Sequence, residues 1–171
     1  ALQLKNDTLI GLAYSYTGIF YLYTKGDFNT ALQYFFKGLP FAERARHMNT
    51  VSGINVDISN AFSYLKNPEQ QLYFAKAAEA SLPGKNEPTY YFMVTQVQIC
   101  YALYYINIKE SKSALQHIQL ANEANLKANA PVMEIFAETV FGLTYFQLGD
   151  KELAEVYFKK AIAKSSTIQM P

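Results

Sequence analysis

The chain has 171 residues, half of them apolar and 17% charged, which supplies a core for one ordinary domain or a short repeat array and excludes global disorder. Fifteen Lys and Arg against fourteen Asp and Glu leave a net charge of +1; with only Arg44 and Arg46 as arginines, the clustered cationic patch of a nucleic-acid-binding face is missing. A single cysteine, Cys100, excludes an internal disulfide framework and leaves the redox compartment open, while 8 Gly and 6 Pro are too few for a turn-rich β-sandwich.

Apolar residues recur at helical spacing along the chain, and no useful stretch alternates as a strand does. Breaks fall at Lys25-Gly26-Asp27, His47-Met48-Asn49, Asn67-Pro68, Pro83-Gly84-Lys85-Asn86, Lys109-Glu110-Ser111, Asn129-Ala130-Pro131 and Gly149-Asp150. Between them the pattern predicts helices over 8–24, 28–46, 50–65, 68–81, 89–108, 111–127, 131–147 and 151–165. Asp27, Asn67 and Asp150 are suited to cap the helices they precede, and Pro68 and Pro131 suit a first helical turn. The short connections predict antiparallel neighbours in an all-α fold. Two uncharged runs, 8–24 and 88–108, approach bilayer length. Gln96, Gln98, Asn107 and the tyrosines of the second suit a buried soluble helix better, so no membrane insertion is expected. A chain that begins at Ala1 and ends at Met170-Pro171 reads as a piece of a longer protein, with residues 1–7 as the tail of an earlier repeat. Localisation is therefore open between cytoplasm and periplasm.

The chain is also self-similar. Gly142, Tyr145, Gly149-Asp150, Ala154, Phe158 and Ala161 form a pattern that recurs upstream. Its counterparts are Ala102, Tyr105, Lys109-Glu110, Ala114, Ile118 and Ala121; Ser59, Phe62, Lys66-Asn67, Gln71, Ala75 and Ala78; and Ile19, Leu22, Gly26-Asp27, Ala31, Phe35 and Gly38. The physical content is a small residue where two helices cross, an aromatic, a tight turn, and small residues on the returning helix. Ile19 is too large for such a slot, though Gly18 sits beside it, and Gln71 replaces an alanine. This pattern closely resembles the tetratricopeptide repeat, in copies over 8–46, 50–81, 89–127 and 131–165. Spacings of roughly 40 residues, against the usual 34 or so, are similar to the long-helix variants of bacterial sensor histidine kinases and transcription regulators.

The resemblance implies a single domain over 1–171, a right-handed superhelical solenoid of four hairpins with first helices on the concave side. Charge agrees with that layout: Lys37, Glu43, Arg44, Glu69, Lys76, Lys112, Glu123, Glu155, Lys159, Lys160 and Lys164 lie on second helices, whereas first helices carry little beyond Asp57, Glu134 and Glu138. Transferring the family's groove positions singles out Tyr16, Phe20, Tyr23, Asn60, Tyr64, Gln96, Leu103, Asn107, Leu143, Phe146 and Gln147. Tyrosine's broad ring and polar tip suit peptide recognition, and an amide facing a groove can bond a peptide backbone. An aromatic stripe at helical spacing also serves as core. The paired lysine, asparagine and arginine set with which some relatives grip a C-terminal carboxylate has no counterpart here.

No phosphate loop, nucleophile elbow or metal-ligand spacing occurs, so neither a cofactor nor a metal is implied. His47 falls at a helix end and His117 on a face expected to be wet; Cys100 and His117 lie on facing helices of one hairpin, the single arrangement from which a nucleophile could be built. The expected function is a noncatalytic module that binds a protein or peptide in its groove, as the sensing or docking part of a bacterial signalling protein. The alternative is a structural scaffold, which could self-associate through its solenoid ends.

Overall fold

The computed structural model describes residues 2–167. Its α-helices are α1 (Leu2–Ile19), α2 (Phe28–Arg44), α3 (Met48–Tyr64), α4 (Pro68–Ala80), α5 (Tyr90–Asn107), α6 (Ser111–Ala128), α7 (Pro131–Leu148) and α8 (Lys151–Thr167). There is no strand among the described residues, and no helix there is long and apolar enough to cross a membrane. The fold is all-α.

The helix starts follow from local chemistry. Asp27 accepts from the Thr30 N–H at 3.0 Å, Asn67 from Gln70 at 3.1 Å and Asp150 from Leu153 at 3.0 Å, each satisfying an amide that a first turn leaves without a helical partner. Pro68 and Pro131 occupy first-turn positions, where no N–H is needed. The ends share a second device. Gly26, Arg46, Lys66, Lys109 and Gly149 all sit at positive φ two residues before the first residue of the next helix. For lysine and arginine that conformation is strained, because Cβ crowds the backbone. Lys66→Gly and Lys109→Gly should each therefore stabilise the protein by about 0.5–1 kcal/mol in urea unfolding, after the entropic penalty of glycine is subtracted. An unchanged midpoint would show that these turns carry no strain.

Contacts cluster in two units, residues 1–87 and 88–171, each made of two antiparallel hairpins. In the first, α1 pairs with α2 and α3 with α4, and α2 packs on α3. Leu22, Leu32, Phe35, Val51, Ile54, Ile58 and Phe74 form its core. In the second, α5 pairs with α6 and α7 with α8 around Ile99, Ile118, Val140 and Phe141. Each hairpin is closed by the expected small slot. A Cβ on Gly142 would lie 2.5 Å from the Phe158 ring, and one on Gly18 would lie 2.4 Å from the Phe35 ring. In the second hairpin the slot residue Ser59 is fully buried and donates its hydroxyl to the Gln71 carbonyl at 2.9 Å. In the third, Ala102 and Ile118 are both fully buried in one cluster.

Three details differ from expectation. Residues 2–7 are not the tail of an earlier repeat but the first turns of α1, where Asp7 is buried and pairs with Arg44 of α2 at 3.2 Å. The slot of the first hairpin is Gly18, not Ile19, which is half-buried against the core. The cause is the third: α1 does not end as an α-helix but runs on through a π-helical turn, Phe20–Lys25. There is one residue more between Gly18 and Gly26 than between Gly142 and Gly149. The wider π turn takes up that residue, and the Asp27 N–H reaches back to the Tyr21 carbonyl, one residue further than Asp150 reaches to Tyr145.

Candidate functional site

The π turn decides what the first unit displays. Tyr16 on α1, with Phe20 and Tyr23 in the π turn, follows helical spacing, and all three are exposed, at 68%, 45% and 49%. Tyr23 reaches α3: its hydroxyl donates to Asp57 Oδ1 at 3.3 Å and accepts from Asn60 Nδ2 at 3.0 Å. One helical turn beyond Asn60, Tyr64 stacks on Phe28 with ring centres 4.9 Å apart and planes within 5°, yet remains 54% exposed. The first helices of this unit thus expose four aromatic rings, one of which, Tyr23, is tied to a carboxylate. Asp57 is half-buried, and burial pushes its carboxyl up to about 7 against the opposing pull of the Tyr23 hydrogen bond.

In the second unit the expected residues are less concentrated. Leu143, Phe146 and Gln147 are exposed on α7, while Gln96, Leu103 and Asn107 of α5 are half-buried, with Leu103 packed against the core. Gln147 ties three helices together. Its Nε2 donates to the Ile106 carbonyl at 2.9 Å and its Oε1 accepts from the Ser111 hydroxyl at 2.7 Å. Both ends of this amide hold the hairpin junction.

The second-helix charges are exposed as expected, with one departure. Lys164 turns back onto α7 and donates to Glu134 and Glu138. Burial alone would lower its ammonium pKa, but the two carboxylates outweigh burial and hold it above the ordinary lysine value. Without that cation the nearly buried Glu138 would lack a counter-charge. His117 is also not on a wet face. It shares a 2.7 Å hydrogen bond with Gln98, stacks on Tyr105 at 5.2 Å and leans on Tyr101 at 5.0 Å. Cys100 is buried at 1% exposure. His47 stands at the start of α3, bonded to the Thr50 hydroxyl at 2.7 Å. Among the described residues no three His, Cys, Asp or Glu side chains converge as a metal site.

The residues that sequence reasoning passed over are Asp57 and Phe28. Asp57 had a signal, as the only charge in the whole of α3. Phe28 had none, because its ring meets Tyr64 only through the packing of α2 on α3. Comparison of the chain with protein-family models and with curated proteins returns no match.

Proposed function

We propose that the chain is a noncatalytic protein-interaction module of the tetratricopeptide type, which holds a peptide or partner segment against its first helices. The observation that carries this is the aromatic face of the first unit. Tyr16, Phe20, Tyr23 and Tyr64 leave about half or more of their surface in water, although the same unit buries Phe35 completely. Exposed rings gathered on the first helices of one unit are costly to hydrate and suit partner binding. Small-slot hairpins closed by short turns support the repeat assignment. In this proposal the hairpins continue as a right-handed superhelix with first helices on the concave side. The module then serves as the sensing or docking part of a bacterial histidine kinase or transcription regulator, whose output is biased by occupancy.

Selection of a random dodecapeptide display library on the purified chain tests this directly. Enriched peptides should bind the parent chain and lose at least about tenfold in affinity to a Tyr16→Ser, Tyr64→Ser variant, since two exposed anchors are removed. Tyr16 is exposed and Tyr64 gives up only its stacking on Phe28, so that variant should still unfold cooperatively, with a melting temperature lower by about 2–4 °C. If selected peptides bind both forms equally, the aromatic face is not the site. If none is enriched and the chain instead associates with itself in sedimentation, the scaffold alternative takes its place.

A further inference from the structure

We propose that the aromatic face of the first unit seats a cationic side chain, specifically an arginine of the bound peptide, on Asp57. This rests on the interaction module proposed above and names the chemistry of its ligand.

Asp57 is the only charged residue of α3, and among the described residues no lysine, arginine or histidine pairs with it. Three cations of the elements before α3 are engaged elsewhere: Lys25 lies over the Phe20 ring at 5.4 Å, Lys37 over Tyr34 at 5.6 Å, and Arg44 pairs with Asp7, while His47 is bonded to Thr50 and Lys76 of α4 is exposed. A half-buried carboxylate without a counter-charge is an expensive group to keep in a packed helix, and its raised pKa reports that expense. Its surroundings hold it in a fixed orientation. Tyr23 donates to Oδ1 and is itself steadied by Asn60, so Oδ2 is left to receive another donor. The ring of Tyr23 stands against the carboxylate, and the faces of such rings attract cations, as Lys25 over Phe20 of the same turn shows within the chain itself. A guanidinium combines both demands. It stacks flat on an aromatic ring while donating in its own plane to a carboxylate, which a compact ammonium cannot do as well. An anionic peptide terminus would instead meet repulsion from Asp57.

The test uses a fragment, so that it does not depend on knowing the peptide. The full chain is titrated by NMR with 4-methylbenzylguanidinium and, separately, with its neutral isostere 4-methylbenzylurea. The guanidinium should shift the resonances of Asp57, Asn60 and Tyr23, and the urea should bind at least about tenfold more weakly, as expected for loss of a charge-assisted bond. Asp57→Asn should lose that preference while keeping a dispersed, folded spectrum. Tyr23→Phe, which removes only the orienting hydroxyl, should weaken it less. Equal binding of the two fragments, shifts confined to another surface, or no shifts at the solubility limit each overturn the proposal. Display peptides that need Tyr16 and Tyr64 but show no preference for arginine would leave the interaction module standing and this inference fallen. Failure of that selection removes both.

Discussion

Gly18→Ala should lower the unfolding free energy of the first unit by about 2 kcal/mol, although alanine is the better helix former. The new methyl would meet Phe35 ring carbons at 2.4, 2.6 and 2.9 Å, and Phe35 is fully buried, so the ring has no free volume to enter. Overpacking of this kind costs about 1–3 kcal/mol or somewhat more, and the gain in helix propensity returns only about 1 kcal/mol. Gly142→Ala should cost less, about 1 kcal/mol, because Phe158 is half-buried and can swing outward. The third hairpin shows the compensation: where glycine faces phenylalanine in the first and last hairpins, Ala102 stands with Ile118. Gly18→Ala combined with Phe35→Ile should accordingly recover stability relative to the sum of the single changes, by about 1–2 kcal/mol of coupling in a double-mutant cycle. Additive losses would mean that the two positions do not share one space.

Asp57→Asn should stabilise the protein at neutral and alkaline pH and change it little near pH 4. The folded carboxyl titrates at about 7 against 3.8 for the free group. Across that window the folded protein keeps a proton that the unfolded chain has released, so stability from this residue is present below about pH 4 and is lost as pH rises through 7. Partial solvent access reduces the effect below that of a fully buried acid, to about 1–3 kcal/mol. Asparagine does not titrate. The difference in unfolding free energy between variant and parent, measured at intervals from pH 4 to 8, should widen across the window and then level off. A difference that stays constant with pH would show that the Asp57 carboxyl is not raised.

Helix starts and the second-helix core were legible because each rests on residues adjacent in sequence or one turn apart. Asp27, Asn67 and Asp150 act on amides three residues away, and Ala31, Ala75, Ala114, Ala121 and Ala154 repeat at fixed offsets and are all buried. The aromatic face was half legible. Tyr16, Phe20, Tyr23 and Tyr64 could be placed by repeat position, but their exposure depends on how α1 and α3 are held, which no single helix contains. The π turn left a trace in the extra residue before Gly26, yet that trace becomes visible only when glycine spacings in two hairpins are compared. His117 was misplaced because a lone polar residue on a second helix looks wet until Gln98 and the Tyr101 and Tyr105 rings are brought onto it. Lys164 was placed with the solvent-facing charges for the same reason: its partners lie on the preceding helix.

A helix that locks into its neighbour on one side and meets a visitor on the other normally has to serve both with one angular register, since each residue advances the spiral by about 100°. The wide turn after Gly18 releases that constraint. It works like a vernier, leaving the grip on Phe35 untouched while rotating the last side chains of the helix, Tyr23 among them, to a new bearing. A hairpin with such a joint can change what it shows to the outside through a single added or deleted residue, with no alteration to the surfaces that bind it to its own partner helix.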